Sequence, residues 1–497
     1  MRAAQVARGL GWTTAATLVN VLAQLGFTAV LARHLEPAAF GLFAMAGIAL
    51  RFTSFFAQFG TAQALVQAPT LAPGMVATAL VVALGSSLLM YALTAATAPL
   101  ASIYFQAEVL TPLILVLGLS LPLSALGALA SALLMRSGRF ARLSALEVGS
   151  YVAGFGVVGV GCALMGLGAW SLVWGMLAQQ AAFLAAGFGL LRPELSWPKT
   201  RPDWAAILRP GSRYSLIGFL EFLWANIESL SIGRSLGAGA LGLLNRAQML
   251  ASLPAEMAMR GLTRVMFPAM SAIQSERQRI ADGFLVLLLL NCSTSTVMAA
   301  VMCAAAPDVV LALLGPRWTE AAPVLAAIAL TVPAGFAYSA CGVTLDSLGT
   351  LDRKLRAQAA LILLKLGLIL ALLPHGLVAV ALGAVLAEWV RAAVGLRLVC
   401  RELPVNRRAL AQALLAVAAA GLVVYACIVL TQLLCHAAGA GLVVRLAAQA
   451  AAAALAVGVC IWAGLRASTA WDPLQRLDTV RRWRDAALAW RPAWSRP

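Results

Sequence analysis

The sequence predicts an all-α, polytopic membrane protein with about fourteen transmembrane helices in two pseudo-symmetric lobes around a central cavity. Apolar residues make up 62% of the 497 positions, charged residues only 11%, and the mean hydropathy is +0.89. In soluble proteins about a quarter of all residues are charged. The apolar residues also fall into about fourteen stretches near the twenty residues that a bilayer-spanning helix needs. This composition excludes a soluble enzyme.

The predicted spans follow one another with short, mostly polar or basic connections. The first half of the chain contains Gly11 to Leu31, Phe40 to Leu65, Met75 to Thr97, Leu110 to Met135, Leu146 to Met165 and Ala169 to Leu191. The second half contains Tyr214 to Leu236, Leu243 to Ala272, Phe284 to Ala306, Ala322 to Leu345, Ala357 to Leu373, Leu377 to Val399, Leu410 to Leu434 and Val443 to Leu465. Pro112, Pro122, Pro254 and Pro333 lie within spans and are expected to kink them.

The distribution of lysine and arginine predicts the orientation, because basic loops stay on the cytoplasmic side. With the N-terminus inside, the inner segments hold 26 basic residues and the outer loops hold three, Arg33, Arg234 and Arg317. An even number of spans therefore places both termini in the cytoplasm and the protein in the inner (plasma) membrane. The net charge of +17 is explained by this topology and by membrane lipid headgroups, with no need for nucleic acid as a partner.

A motif at the end of span 1 returns at the end of span 7. Arg33, Leu35 and Gly41 match Arg234, Leu236 and Gly242 at a constant offset of 201 residues. Because six spans separate the copies, the repeat is parallel, which implies two lobes, a cavity between them and alternating access. The predicted division of the chain is an N-terminal lobe (1–191), a cytoplasmic linker (192–211), a C-terminal lobe (212–400), two extra spans (401–465) and a basic, Trp-containing cytoplasmic tail (466–497).

Several short motifs carry a resemblance to a known family. They are Gly11-Trp-Thr, Leu31-Ala-Arg-x-Leu-x-Pro-x-x-Phe-Gly, Ala64-Leu-Val-Gln, Asn226-Ile-Glu-Ser-Leu-Ser-Ile-Gly-Arg-Ser-Leu-Gly, Leu241-Gly, Leu253-Pro and Phe267-Pro-Ala-Met-Ser-Ala-Ile-Gln. The chain thereby resembles polysaccharide-unit (Wzx-type) flippases of the multidrug/oligosaccharidyl-lipid/polysaccharide exporter superfamily, in the lipopolysaccharide and exopolysaccharide branch. The motifs cover spans 1, 2, 7 and 8. Glu228 and Leu244 depart from the aspartate and the aromatic residue expected there.

The resemblance implies a function and a site. The expected activity is movement of polyprenyl-diphosphate-linked oligosaccharide units from the cytoplasmic to the periplasmic leaflet, without a cofactor or resident metal. A polysaccharide polymerase and a chain-length regulator are the implied protein partners. Spans 2, 7 and 8 line the cavity in the resembled family, so Arg51, Arg260 and Arg264 are the candidate diphosphate ligands. Asn20, Gln24 and Asn226 are candidate sugar contacts.

Charge inside the membrane supports the choice of these residues. A charged side chain at the bilayer centre costs about 2.5 to 3.5 kcal/mol on insertion scales and normally faces a cavity or a partner. Arginine presents a fixed fork of donors to phosphate and stays charged when desolvated. Two alternatives remain open: Glu256 and Arg260, four residues apart, can pair with each other, and Arg264 can extend to lipid headgroups.

Three glutamates are candidates for ion coupling. The chain has no Gly-x-x-x-x-Gly-Lys-Ser/Thr nucleotide motif, so an ion gradient is the expected energy source. Glu221 and Glu228 share one face of span 7, and Glu256 lies on span 8. Burial raises the pKa of a carboxyl group towards the working pH, because desolvation disfavours the charged form. Alternatively, Glu221 or Glu228 pairs with Arg51 and remains ionised.

The remaining intramembrane charges have simpler interpretations. Glu388 and Arg391 are three residues apart on span 12 and can satisfy each other. Lys365, on the short span 11, can extend to the membrane surface. Spans 13 and 14 are nearly free of charge. By the resemblance they shelter a lipid tail, and by composition alone they are two more packing helices. All eight cysteines lie in or next to apolar runs and are predicted to be packing residues.

Three other function classes are weighed against the flippase. A peptidoglycan-precursor flippase is disfavoured because span 1 lacks a central arginine. A multidrug or cation antiporter of the same superfamily is disfavoured by fourteen spans and by Arg51. A membrane polymerase or ligase would need a large outer loop with acid and base groups. The longest predicted outer loop, Ala306 to Ala321, offers only Asp308, Arg317 and Glu320.

Overall fold

The structure, a computed structural model, describes residues 3–57, 62, 65, 74–191, 212–252, 277–348 and 351–466. These residues form helices joined by short connections, and no strand occurs among them. The chain divides into two compact units, Met1–Asn245 with Leu313–Trp318, and Arg246–Ala312 with Thr319–Pro497. Among the predicted site residues, Glu256, Arg260 and Arg264 lie outside the described residues, as do the linker 192–211 and most of the tail.

The first unit is built from antiparallel helices. They are α1 (Ala3–His34), α2 (Pro37–Ala57), α3 (Met75–Phe105), α4 (Leu110–Gly118), α5 (Ser120–Arg136), α6 (Phe140–Tyr151), a π-helix (Val152–Gly159), α7 (Val160–Leu164), α8 (Ala169–Leu191), α9 (Ser212–Ser235) and the beginning of α10 (237–252). The main core cluster lies where α3, α5 and α6 meet, around Leu129 and Leu134. The unit boundary falls inside α10, between Asn245 and Arg246.

The second unit continues the same architecture. Its helices are the end of α10, α11 (Arg277–Leu313), α12 (Ala321–Ala329), α13 (Thr331–Ser347), α14 (Leu351–Leu372), α15 (Leu377–Glu402), α16 (Arg407–Ala437) and α17 (Leu442–Arg466). Its core gathers Phe284, Leu288 and Cys341 with Val399. All eight cysteines are free, and Cys292 and Cys341 are buried.

Two predicted spans are interrupted three residues before a proline. The span from Leu110 breaks at Leu119, between α4 and α5, and the span from Ala321 breaks at Leu330, between α12 and α13. Pro122 and Pro333 have no N–H to donate to the carbonyls of Gly118 and Ala329, so each ladder is open at that point. The helices are interrupted at the two places where kinks were predicted. Pro254 lies outside the described residues.

Ten helices of the described part are long and apolar enough to cross a membrane. The predicted spans 1, 2, 7 and 8 correspond to α1, α2, α9 and α10, which are not among those ten. The total of fourteen therefore stays a prediction. One loop prediction is wrong: helix α11 continues to Leu313, so the outer loop predicted from Ala306 begins seven residues later and Asp308 is helical.

The last two helices pack against α11. Val424 and Ile428 of α16 and Ala453 of α17 share a buried cluster with Ala300 and Ala304. A methyl group added to Gly421 would overlap the side chain of Thr296, which shows how closely α16 approaches α11. Their other faces expose large apolar residues such as Leu422 and Leu433. The two helices therefore serve as packing helices on one side and offer an apolar surface to lipid on the other.

Candidate functional site

The predicted site centres on Arg51, which lies in the second half of α2. Its side chain is exposed, although the surrounding helix is apolar. Helix α2 packs against α3 and α9. The hydroxyl groups of Thr53 and Thr94, both buried, lie 2.9 Å apart and fix α2 to α3 two residues after Arg51. The guanidinium is therefore carried by a helix that is fixed by its neighbours.

Helix α9 contributes a buried polar stretch opposite α2. Asn226, Glu228, Ser229 and Ser231 are all less than 10% exposed. The amide of Asn226 donates to the carbonyl of Phe222 at 2.8 Å, and Ser231 donates in the same way to Ile227 at 2.9 Å. These bonds satisfy one donor each within the helix. Glu228 adds a buried ionisable group to the same stretch. Such a group normally marks a functional site or a partner.

Three predicted site residues lie at one depth. Arg51 is fourteen residues after the start of α2, Glu221 is fourteen residues before the end of α9, and Asn20 is fourteen residues before the end of α1. At 1.5 Å per residue each lies about 21 Å from the helix end at the repeated motif. Glu228 lies only about 10 Å from that end by the same rise. Arg51, Glu221 and Asn20 thus lie at similar distances along their helices from the repeated motif.

The other predicted residues are less closely grouped. Asn20 and Gln24 are half-buried on α1, a helix that packs mainly against α6 and α7 rather than against α2. Asn226 and Glu228 lie on α9 nearer the motif end. Within the described residues, the structure therefore brings the helix of Arg51 to the helix of Glu221, Asn226 and Glu228.

A buried polar network in the second unit was only partly foreseen. Arg391 and Glu388 are 3.4 Å apart, which confirms that the two charges satisfy each other. The guanidinium also lies 3.8 Å from the centre of the Tyr338 ring, and the Tyr338 hydroxyl donates to Gln358 at 3.1 Å. Tyr338 and Gln358 could have been singled out from the sequence, because both are polar residues within apolar spans. Lys365 on α14 is 3% exposed, so the expected extension to the membrane surface is wrong.

A second cluster joins α11, α16 and α17 and was not predicted. The buried carboxylate of Asp308 pairs with Arg445 at 2.8 Å and accepts from the amide of Gln449 at 2.7 Å. Arg445 also lies 3.2 Å from Nδ1 of His436. The sequence analysis did not find this cluster, because it ended the span before Asp308 and assigned that residue to a loop. No group of three metal-ligating side chains occurs in the part of the chain that the structure describes.

The helical architecture and the intramembrane polar residues define a polytopic membrane protein with the fold of known lipid flippases and transporters. The lipid II flippase MurJ in an inward closed conformation superposes with a TM-score of 0.70 over 92% of this chain and 98% of that chain, at 13% identity. An inward-facing multidrug resistance MATE family transporter gives a TM-score of 0.57 over 77% and 94% of the two chains, at 16% identity.

The polysaccharide biosynthesis protein family matches residues 30–323, which is more than half of the sequence. The chain belongs to this family. The match spans the repeated motif in both copies, Arg51 and the whole of α9, and it confirms the resemblance inferred from those residues.

Individual relatives in the family are distant. The teichuronic acid biosynthesis protein TuaB of Bacillus subtilis is 23% identical over 66% of this chain and 68% of its own length. The lipopolysaccharide biosynthesis protein WzxC of Escherichia coli is 25% identical over 56% and 57%. The succinoglycan biosynthesis transport protein ExoT of Rhizobium meliloti is 26% identical over 67% of both chains.

Proposed function

We propose that the protein is a flippase that moves polyprenyl-diphosphate-linked oligosaccharide units from the cytoplasmic to the periplasmic leaflet of the plasma membrane. Membership of the polysaccharide biosynthesis family and the fold shared with a flippase and transporters support this proposal. Relatives named for lipopolysaccharide biosynthesis and succinoglycan transport point to the same class of substrate. Two lobes, 1–191 and 212–400, would alternate the access to the cavity, with the linker and both termini in the cytoplasm.

The observation that carries the proposal is Arg51 at mid-membrane depth, on a helix packed against the buried polar stretch of α9. A diphosphate needs fixed, charged donors to leave water, and a guanidinium provides two parallel N–H bonds to phosphate oxygens. Charge-assisted hydrogen bonds of this kind contribute about 1.5 to 3 kcal/mol each. Arg260 and Arg264 are proposed as further phosphate ligands, and Asn20, Gln24 and Asn226 as sugar contacts.

Arginine substitution tests the phosphate role. Arg51→Lys keeps the charge and loses the bidentate geometry, so we expect polymer export to fall about tenfold at normal membrane levels, with Arg51→Ala lower still. The measurement is complementation of an export-deficient strain, normalised to protein in the membrane. Arg353→Ala, which removes a guanidinium that is 63% exposed, is the matched control and should export normally. Full export by a stable Arg51→Ala variant would contradict the proposal.

We further propose that the flipping is coupled to an ion gradient through Glu221 and Glu228, with Glu256 as a third candidate. Glu221 lies at the depth of Arg51, so substrate phosphate and the carboxylate would compete for the same guanidinium. In reconstituted vesicles with a pH or sodium gradient, Glu221→Gln and Glu228→Gln are expected to flip a fluorescent lipid-linked sugar without responding to the gradient. Glu320→Gln, at an exposed carboxylate, is the control. Wild-type flipping that ignores both gradients would exclude this coupling.

A further inference from the structure

The two copies of the repeated motif pack against each other reciprocally. A methyl group built on Gly41 would overlap the carbonyl oxygen of Ala238, and one built on Gly242 would overlap the carbonyl oxygen of Pro37. Pro37 and Ala238 are themselves related by the offset of 201 residues that relates Gly41 to Gly242. Gly41 therefore contacts Ala238 in the same way as Gly242 contacts Pro37, with the two copies of the motif exchanged. We call Pro37, Gly41, Ala238 and Gly242 the reciprocal clasp.

The backbone around the clasp is the same in both copies. Helix α1 ends at His34 and α9 ends at Ser235, which are repeat equivalents. The N–H of Leu35 donates to the carbonyl of Leu31 at 2.8 Å, and the N–H of Leu236 donates to the carbonyl of Ile232 at the same distance. Such a local two-fold relation makes the contact self-complementary. The sequence repeat is thus explained by a packing requirement at this place.

Trp318 is buried beside the first copy of the motif. Its indole N–H donates to the carbonyl of Ala32 at 2.8 Å, and its ring meets Phe40 edge to face at 5.3 Å between centroids. The side chain is 0% exposed. The six residues Leu313–Trp318 belong to the first unit, whereas the chain before and after them belongs to the second.

Chain connectivity gives these contacts a consequence. Helix α10, which begins at the clasp, continues into the second unit after Asn245, and the segment Leu313–Trp318 is continuous with the second unit at both ends. The first copy of the motif thus makes two non-covalent contacts, one with the start of α10 through the glycines and one with the segment Leu313–Trp318 through Trp318. Both must separate for this end of the helices to open.

We propose that the reciprocal clasp and Trp318 form a reversible lock that holds the predicted outer side of the protein closed. This inference rests on the proposed transport function and makes Gly41, Gly242 and Trp318 positioning residues of the cycle. At its two glycines the clasp brings backbone atoms into contact, and weak contacts of the Cα–H to carbonyl type contribute little each. Such a backbone contact can separate and close again, whereas Trp318 supplies the directional hydrogen bond.

Accessibility of a buried position behind the clasp tests the lock. In a protein with all native cysteines replaced, a cysteine at Ala44, which is 6% exposed and lies one turn after Gly41, is labelled with an impermeant maleimide in intact cells. We expect slow labelling when the clasp is intact. Gly41→Ala and Gly242→Ala should each raise the labelling rate about tenfold, because the added methyl overlaps a carbonyl and shifts the population towards the open state. Trp318→Ala should have the same effect.

The controls come from the same segments. Gly47→Ala and Gly239→Ala add a methyl group that meets nothing within 4 Å, and they should label at the starting rate. Trp318→Phe keeps a ring against Phe40 but loses the indole N–H, so its rate should lie between those of wild type and Trp318→Ala. If a glycine variant does not fold, the milder Trp318→Phe variant still tests the lock.

The outcomes are separable from those of the transport assay. Labelling of the stably folded Gly41→Ala, Gly242→Ala and Trp318→Phe variants at the control rate would overturn the lock. The reporter needs no lipid-linked sugar, so a protein that opens at the clasp but fails to flip the sugar lipid would refute the proposed function and leave the lock intact.

Discussion

Arg391 shows how a guanidinium can be tolerated deep in an apolar bundle. It lies near the middle of α15, pairs with Glu388 at 3.4 Å and lies 3.8 Å from the Tyr338 ring centre. Both charged residues are less than 10% exposed. An ionic interaction with Glu388 and a cation–π interaction with Tyr338 thus replace part of the lost water. Arg51 differs in burial, because it is exposed within the structure.

At the residue scale we predict that the Glu388–Arg391 pair stabilises the fold. Glu388→Ala leaves a buried guanidinium without its counter-ion and should lower the free energy of unfolding by about 3 to 5 kcal/mol. The double variant Glu388→Leu/Arg391→Met should recover most of this loss, because it removes both charges. Arg353→Ala, at an exposed pair with Glu402, should cost less than about 1 kcal/mol. Thermal unfolding in detergent measures all three, and an unchanged midpoint for Glu388→Ala would refute the prediction.

At the element scale, a polar contact joins α17 to α11. The cluster of α16 and α17 with Ala300 and Ala304 is apolar, and apolar packing alone distinguishes poorly between a helix neighbour and lipid tails. The ion pair of Asp308 with Arg445 and the hydrogen bond from Gln449 supply a directional contact near the predicted outer end. This contact determines how the two helices are placed along α11.

We predict that Asp308→Ala loosens α16 and α17 without unfolding the rest of the second unit. Loss of the carboxylate leaves Arg445 and Gln449 buried without their acceptor, which costs more than the bond itself contributed. Hydrogen–deuterium exchange in detergent should then rise in 407–466 and stay unchanged in 321–402. Leu433→Ala, which truncates a side chain that is 62% exposed, should leave exchange in both regions as it was. Equal protection from exchange in Asp308→Ala and wild type would show that apolar packing alone holds α16 and α17 in place.

At the scale of the whole molecule, the arrangement in the membrane rests on charge. The predicted inner segments carry 26 basic residues against three outside. Gly315, in the predicted outer loop, is unsuitable as a reporter position, because it is buried beside the stem of Arg33 and has a φ of +94°. Pro404, between α15 and α16, and Ala438, after α16, are exposed in the described structure and are better reporters.

We predict that a cysteine at Ala438 is labelled by an impermeant thiol reagent in intact cells, and that a cysteine at Pro404 is labelled only after lysis. The reason is that the loop containing Pro404 is flanked by Arg401, Arg407 and Arg408, which favour the cytoplasmic side. The measurement uses a protein whose native cysteines are replaced. Labelling of Pro404→Cys from outside would reverse or abolish the proposed topology.

Sequence alone determined the all-helical membrane class, the repeat at an offset of 201 residues, the helix interruptions before Pro122 and Pro333, and the family. These features follow from local composition and spacing. They can be predicted because hydropathy and backbone hydrogen bonding depend on residues that are neighbours in the chain. The placement of Arg51 on a membrane helix also followed from hydropathy. Its depth relative to Glu221 and Asn20 needed the helix ends, which the structure fixed.

Only the tertiary structure decided which polar residues meet. Trp318 reaches the carbonyl of Ala32 across 286 positions, and Gln449 reaches Asp308 across 141. No periodicity predicts such partners, because the lipid and the protein interior are about equally apolar and the hydropathy of a span does not mark its packed face. The reciprocal clasp belongs to the same class: the sequence contains both glycines, but their role is visible only when each is seen against the carbonyl of the other copy.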